Sequence, residues 1–202
     1  MQQFRKFFFS YFWIIILAAC GAKPLSPLSQ NATIVAFGDS LTQGVGTTRD
    51  KSYPAVLAEI SGRNVINAGI SGETTTEGLG RFASVLEQNA PELVILIEGG
   101  NDILRNHSHA QAKQNLADMI QIAQAQSIPV VLLGVPEKNL FSDAAPLYAE
   151  LASEFNLVFD KAMLGKLLKS PSLKSDQIHL NEKGYRKMAE EIHALLQKNG
   201  AL

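Results

Sequence analysis

Cysteine, tryptophan and basic clusters are scarce in this chain. The 202 residues include one cysteine and one tryptophan, and the formal net charge is −1. A single cysteine excludes an internal disulfide, so the folded part must depend on its apolar core. The sequence has no block of lysine and arginine, so we expect no nucleic-acid partner. Hydrophobic residues make up 46% of the chain, which is enough for the core of one domain.

Residues 1–19 have the pattern of an export signal. Arg5 and Lys6 precede an apolar stretch, Phe7–Ala19, which ends in small residues. A membrane-spanning helix needs about 20 apolar residues, and this stretch is shorter. We therefore expect residues 1–19 to be a signal peptide that is removed on export.

The end of that stretch, LAACG at 17–21, resembles the lipobox of bacterial lipoproteins. The resemblance implies that the peptide is cut before Cys20 and that Cys20 carries acyl chains, which anchor the protein to a membrane. It predicts a lipid-anchored, periplasm-facing protein of the bacterial cell envelope. Position 21 is not the aspartate that often retains such proteins at the inner membrane, which favours the outer membrane. The alternatives are an ordinary secretory signal with a cysteine there by chance, or an uncleaved anchor.

The rest of the chain divides into a short linker and one domain. Residues 20–31 contain two prolines and few apolar side chains, which predicts a tether between the lipid and the domain. The domain is expected at 32–202. Its sequence shows no internal repeat, and nothing in it demands an oligomer, so we expect a monomer.

Within 32–202, apolar runs alternate with amphipathic stretches. This alternation predicts an α/β fold, a three-layer sandwich in which a parallel sheet of five strands lies between two layers of helices. The candidate strands are Thr33–Phe37, Asn64–Asn67, Leu93–Glu98, Val130–Val135 and Leu157–Phe159. The candidate helices are Tyr53–Ser61, Thr75–Asn89, Ala110–Gln126, Ala145–Phe155, Lys161–Leu168 and Glu182–Gln197.

A serine, an imidazole and a carboxylate are available for nucleophilic chemistry. A serine hydroxyl is a weak nucleophile unless a base lies within hydrogen-bond reach and a third group orients that base. Ser40 follows the first strand, His179 lies in the loop before the last helix, and Asp176 comes shortly before His179. Taken singly, Asp176 could be a turn or cap residue and His179 a loop histidine. The remaining histidines, for which we expect solvated or partly packed positions, are His107, His109 and His193.

Attack by a serine on an acyl group places negative charge on the former carbonyl oxygen, which preorganised N–H donors stabilise. Ser40, Gly72 and Asn101 each follow the carboxyl end of a separate candidate strand, so we expect all three on one rim of the sheet. Ser40 and Gly72 can offer backbone amides, and Asn101 offers a side-chain amide. Turn geometry for Gly72 and a helix cap for Asn101 are the alternatives.

Four segments together resemble the sequence blocks of the SGNH hydrolases, also called GDSL esterases. They are GDSL at 38–41, the segment around Gly72, GGND at 99–102 and DQIH at 176–179. The blocks occur in the order and spacing of the family, and the similarity extends over about residues 32–198. The periplasmic thioesterase I/lysophospholipase I and arylesterase branch is the most similar.

The resemblance implies a flavodoxin-like strand order and a triad of Ser40, Asp176 and His179, with Ser40 as nucleophile. It implies oxyanion donors from Ser40, Gly72 and Asn101, and neither a metal nor an organic cofactor. In the thioesterase branch, residues 103–107 correspond to a mobile loop that contacts substrate. We also expect the loop Pro136–Asp143 to form a wall of the acyl pocket.

The predicted function is that of a serine esterase, which hydrolyses small carboxylic esters or thioesters through an acyl-enzyme on Ser40. The alternative is removal of O-acetyl groups from envelope polysaccharide or peptidoglycan, against which the small number of aromatic residues for sugar stacking argues weakly. A third hypothesis is a lipid-anchored binding protein without activity, because a fold does not fix a function.

Overall fold

The computed structural model describes residues 24–138 and 143–202, so the predicted signal peptide and Cys20 lie outside the described residues. The strands form one parallel sheet in the order β2-β1-β3-β4-β5. This flavodoxin-like order and the predicted α/β class are confirmed. The strands are β1 (Thr33–Gly38), β2 (Asn64–Gly69), β3 (Leu93–Ile97), β4 (Val130–Leu133) and β5 (Val158–Asp160).

The α-helices follow the predicted pattern, with two short additions. In the described residues they are α1 (Ser40–Gln43), α2 (Tyr53–Ser61), α3 (Thr75–Asn89), α4 (Gly100–Leu104), α5 (His109–Ala125), α6 (Pro146–Glu154), α7 (Met163–Lys169) and α8 (Glu182–Lys198). The apolar pattern does not predict α1 and α4, because such short segments cannot display a 3.6-residue period. None of the described helices is long and apolar enough to cross a membrane.

The strand order explains why helices cover both faces of the sheet. The chain passes from β1 to β2 on one side, and then returns past β1 to β3 and moves on to β4 and β5. Right-handed crossovers made in opposite directions leave their helices on opposite faces. Accordingly α2 packs against α8, which also contacts α7, whereas α3 packs against α5, which also contacts α6.

The centre of the core is β3, in which every residue is fully buried. Its sequence, LVILI, is apolar at each position because helices cover both of its faces. Beside it on β1, Phe37 meets Phe82 of α3 edge to face, with ring centroids 4.9 Å apart. The fully buried centre of the sheet therefore supports the segments that follow β1 and β3.

The described part of the predicted tether, residues 24–31, is docked on the domain. The Leu25 and Leu28 amides donate to the carbonyl oxygens of Asn199 and Ala201, both at 2.9 Å. Ser29 Oγ donates to a carboxylate oxygen of Glu92, at 2.6 Å, just before β3 begins. This segment therefore lies at the amino-terminal ends of the strands.

At the opposite rim, the carboxyl ends of three neighbouring strands are in register. Gly38 of β1 pairs with Gly69 of β2 on one side and with Ile97 of β3 on the other. The segments that follow β1, β2 and β3, which carry Ser40, Gly72 and Asn101, therefore leave the sheet side by side, as the sequence predicts.

Candidate active site

Ser40 is the first residue of α1, directly after β1. Asp39 caps this helix, and its Oδ1 accepts a hydrogen bond from the Leu41 amide at 3.0 Å. A Cβ on Gly38 would clash with the carbonyl oxygen of Ile97 on β3, so only glycine fits where the strand approaches its neighbour. The tight turn from strand to helix presents the Ser40 hydroxyl at the rim of the sheet.

Three of the predicted side chains form a continuous hydrogen-bonded chain. His179 Nε2 lies 3.0 Å from Ser40 Oγ, and His179 Nδ1 lies 2.7 Å from Asp176 Oδ2. When Nδ1 carries the proton and donates it to Asp176, Nε2 is free to accept from the serine hydroxyl. The arrangement can therefore take a proton from Ser40 during nucleophilic attack.

Asp176 is held by its own loop. Its Oδ1 accepts from the amides of Ile178 and His179, at 2.9 and 2.8 Å, while Oδ2 faces the imidazole. Partial burial opposes ionisation of this carboxyl, but hydrogen bonds from the His179 side chain and from the two amides outweigh it and lower the pKa. Asp176 is thus an ionised turn residue. It does not cap α8, whose N-cap is Asn181.

The other histidines are not brought to Ser40. His107 Nδ1 lies 4.0 Å from Asp102 Oδ1, and half of the His107 side chain is exposed. His109 is an exposed residue at the start of α5, and His193 lies within α8. These locations agree with the solvated or partly packed positions that we expect for the three histidines.

Gly72 occupies a backbone conformation that suits a turn and leaves its amide free. Its φ is +82°, where an L side chain is strained, so the turn itself requires glycine here. Within the described residues, neither the Gly72 amide nor the Ser40 amide donates a hydrogen bond. Arg105 donates to the Gly72 carbonyl oxygen at 2.9 Å and so fixes the peptide that follows.

Asn101 lies inside α4, whose N-cap is Gly99, so the side chain does not act as a helix cap. Its Nδ2 donates to the backbone carbonyl of Glu73 at 2.8 Å, next to Gly72. The second hydrogen is held only weakly, because the nearest acceptor, Asp39 Oδ2, is 3.4 Å away. One N–H of Asn101 is therefore anchored to the Gly72 loop while the other remains available to a ligand.

The sequence patterns predict no role for four buried carboxylates beneath the rim. Asp39, Glu73, Glu98 and Asp102 are each at most 5% exposed. Asp102 accepts from the amide and hydroxyl of Thr75, both at 2.8 Å, and so ties α4 to the start of α3. Burial raises the pKa of Asp39 to about 6, although the Leu41 amide opposes the shift. Their signal in the sequence is their position inside or beside the motifs at 38–41, around Gly72 and at 99–102.

An apolar groove opens beside Ser40, with a free volume of about 50 Å³. Side chains from α1, α4, α7 and the loop after β4 line it. The main apolar members are Leu41, Ile103, Leu104, Val135, Pro136, Leu168 and Ile178. Pro136, Glu137 and Lys138 of the expected pocket loop contribute to the lining, whereas 139–142 lie outside the described residues.

In the described parts of the chain, no three histidine, cysteine, aspartate or glutamate side chains are arranged to hold a metal ion. The rim carries a serine next to an oriented imidazole, with free N–H groups nearby. Such a site on a doubly wound sheet defines a class, the serine hydrolases of α/β fold.

Comparison with known proteins identifies the family within that class. Residues 36–187 match the GDSL-like Lipase/Acylhydrolase family, and the chain belongs to it. The membership that the four sequence blocks predict is therefore confirmed.

Relatives and solved structures agree with this assignment. The chain is 37% identical over 147 residues to Esterase TesA of Pseudomonas aeruginosa, which covers 69% of this chain and 71% of that protein. It is 30% identical over 173 residues to Thioesterase 1/protease 1/lysophospholipase L1 of Escherichia coli, or 82% of this chain and 83% of that protein. A crystal structure of TesA superposes with a TM-score of 0.74 at 28% identity, and covers 83% of this chain and 99% of the other.

Proposed function

We propose that this protein is a serine esterase that hydrolyses carboxylic esters or thioesters through an acyl-enzyme on Ser40. The observation that carries the proposal is the hydrogen-bonded chain from Ser40 through His179 to Asp176, with distances of 3.0 and 2.7 Å. Membership of the lipase and acylhydrolase family and relatives named as esterases and thioesterases support the same reaction class.

The proposed reaction has two halves that use the same base. Ser40 Oγ attacks the acyl carbon while His179 Nε2 takes the hydroxyl proton, and His179 returns that proton to the leaving alcohol or thiol. Water then attacks the acyl-enzyme with His179 again as base, which releases the acid and regenerates Ser40. Asp176 holds the imidazole in the required tautomer and stabilises the imidazolium.

The oxyanion of each tetrahedral intermediate would be stabilised by three donors. These are the free amides of Ser40 and Gly72 and the uncommitted N–H of Asn101. Each donor of this kind contributes about 2.7–4 kcal/mol to transition-state stabilisation. The apolar groove beside Ser40 would take the acyl chain, because its lining offers mainly carbon atoms.

Two measurements on the purified protein test the proposal. A fluorophosphonate probe should label Ser40, and a panel of acyl thioesters, lysophospholipids and p-nitrophenyl esters should reveal which leaving group is turned over fastest. Absence of labelling together with absence of turnover over the whole panel would leave only the binding-protein hypothesis.

One observation favours a short acyl group, as in the alternative of O-acetyl removal from envelope glycans. The described groove, at about 50 Å³, is far smaller than the roughly 300–1,000 Å³ of pockets that enclose drug-sized ligands. Acetate release from acetylated polysaccharide or peptidoglycan, measured beside octanoyl ester hydrolysis, separates the two substrates. Faster turnover of the octanoyl ester would exclude the acetyl preference.

We further propose that acylated Cys20 anchors a monomeric protein to the outer membrane, facing the periplasm. Segment 24–31 is docked at the amino-terminal ends of the strands, and Ser40 lies at their carboxyl ends. An anchor at Cys20 would therefore hold the active-site rim away from the bilayer. Palmitate labelling that survives Cys20→Ala would exclude the anchor, fractionation of the envelope tests the membrane, and gel filtration tests the monomer.

A further inference from the structure

Glu98 is a fully buried carboxyl that the proposed reaction does not use. It follows β3 directly and begins the loop that carries Asn101. Its Oε2 accepts from the Gly99 amide at 3.0 Å. If the group is an ionised acceptor, its Oε1 has no hydrogen-bond partner among the described residues. An isolated buried carboxylate oxygen is costly, so this atom requires an explanation.

The buried carboxyl of Glu73, in the segment after β2, offers one. A hydrogen bond between the Glu98 and Glu73 side chains is among the causes that raise the pKa of Glu98. Two ionised carboxylates cannot occupy such positions without strong repulsion, whereas one proton between them makes a short, charge-assisted hydrogen bond.

The arrangement around Glu73 decides which partner carries the proton. Arg81 grips Glu73 with two nitrogens, with Nε 2.7 Å from Oε1 and Nη2 in contact with Oε2. The same guanidinium lies 4.0 Å from the centre of the Phe37 ring and also donates to the Ala68 carbonyl at 2.8 Å. Both carboxylate oxygens of Glu73 thus have a cationic partner, whereas Oε1 of Glu98 has none among the described residues, and on this ground the shared proton is assigned to Glu98.

We propose that Glu98 is a positioning residue whose protonated carboxyl donates to the Glu73 carboxylate and holds the Gly72 loop against the Asn101 loop. The inference rests on the proposed function, because these loops supply two of the three proposed oxyanion donors. The backbone carbonyl of Glu73 also accepts from Asn101, so the segments after β2 and β3 are joined through both the side chain and the backbone of Glu73. Without the Glu98 contact, the remaining described links are those of Asn101 to Glu73, Arg105 to Gly72 and Asp102 to Thr75, none of which fixes the Glu73 side chain.

The charges around the pair favour the same proton position. Burial, reinforced by the negative charge of Asp39, raises the pKa of Glu98 well above its ordinary value. The hydroxyl of Tyr148 donates to the Glu98 backbone carbonyl at 2.6 Å and is neutral, because burial raises its pKa. The ionisable groups around the pair are Asp39, Arg81, Asp102 and Tyr148.

Infrared spectroscopy tests the proton directly and does not depend on catalysis. At pH 8, where Asp39 with its pKa of about 6 is ionised, the wild-type protein should show the carbonyl band of a protonated carboxyl group. Glu98→Gln should abolish that band, whereas Glu87→Gln, a change at an exposed glutamate of α3, should leave it in place. A wild-type spectrum without the band, or a band that survives Glu98→Gln, would overturn the proposal.

Kinetics then test the positioning role. Glu98→Gln keeps a donor toward Glu73 and an acceptor for Gly99, so kcat should stay within roughly threefold of wild type. Glu98→Leu fills the space without a donor, and kcat should fall by roughly 10- to 100-fold with little change in KM. Equal kcat values for the two variants would overturn the role. If no ester is turned over at all, the proposed function fails, and the infrared band still decides where the proton lies.

Discussion

Ser40 Oγ lies 3.0 Å from His179 Nε2, although 139 residues separate the two along the chain. The contact forms because Ser40 begins α1 just after β1, beside the central strand β3, while His179 precedes α8, which packs against α2. The last loop is thereby folded over the carboxyl ends of the strands. The geometry of the site therefore depends on the whole fold, and substitutions within it give sharp tests.

Replacing Ser40 by alanine should abolish ester hydrolysis. The substitution removes the proposed nucleophile, and kcat should fall by roughly 10³- to 10⁶-fold with p-nitrophenyl acetate. Ser84→Ala, at an exposed serine of α3, is the matched control and should retain wild-type turnover. Wild-type turnover in Ser40→Ala would assign the reaction to a different nucleophile.

Replacing Asp176 by asparagine should lower kcat by roughly 10²- to 10⁴-fold, because an amide can hold the imidazole in the wrong tautomer. The pKa of Asp176 is lowered, chiefly by hydrogen bonds that outweigh its partial burial, so the carboxylate is already ionised at pH 6. The loss should therefore be measured at pH 8, where Asp176 of the wild-type protein is ionised. Asp50→Asn, at an exposed aspartate, serves as the control. Wild-type turnover in Asp176→Asn at pH 8 would contradict the assignment.

Removing the side-chain amide of Asn101 should lower kcat with little change in KM, because the amide is needed for the oxyanion rather than for binding. The expected loss in Asn101→Ala is roughly 10²- to 10³-fold. Gln88→Ala removes an exposed amide from α3 and should have no effect. A rise in KM at unchanged kcat would instead indicate that Asn101 holds the substrate in the ground state.

The sequence predicts the backbone of this site well because its signals are local. Buried strands read as apolar runs, and the parallel order places Ser40, Gly72 and Asn101 at one rim. The bounds of Tyr53–Ser61 and Thr75–Asn89 agree with the prediction, and α3 begins with a capping box between Thr74 and Glu77.

The carboxylates beneath the rim could not be predicted in the same way. The roles of Glu73 and Glu98 depend on contacts between two loops that are distant in sequence, and no periodic pattern records such contacts. The hydrogen bond from Arg105 to Gly72 joins residues 33 positions apart and also leaves no pattern in the sequence. Likewise, the sequence predicts a tether at 20–31 but not where it docks, because the bonds from the Leu25 and Leu28 amides to Asn199 and Ala201 join opposite ends of the domain.

The ionisation of buried Asp39 should make the protein less stable at higher pH. Burial raises its pKa from 3.8 to about 6, so the folded state binds the proton more tightly than the unfolded state. The resulting stabilisation is complete below pH 3.8 and is lost as the pH rises through 6. Asp39→Asn does not ionise and keeps an acceptor for the Leu41 amide.

The free energy of unfolding of Asp39→Asn, relative to wild type, should therefore increase by roughly 1–2 kcal/mol between pH 5 and pH 8. Urea denaturation at the two pH values measures this difference, and titrating groups that do not interact with Asp39 cancel because both proteins share them. An offset that is equal at both pH values would show that the Asp39 carboxyl does not change its charge between them.

The apolar groove should select the acyl chain, and two exposed side chains offer a matched test. Leu104 lines the groove and is 40% exposed, whereas Ile70 lies in the loop after β2, outside the groove lining, and is 47% exposed. Truncation of either side chain should disturb the fold little, because neither belongs to the core.

Leu104→Ala removes apolar contacts that only a longer acyl chain can reach, at about 0.8 kcal/mol for each buried methylene group. We expect kcat/KM for p-nitrophenyl octanoate to fall by roughly three- to tenfold in Leu104→Ala and to be unchanged for the acetate. Ile70→Ala should leave both substrates unaffected, and an equal loss in the two variants would mean that acyl chains bind across the open rim rather than in the groove.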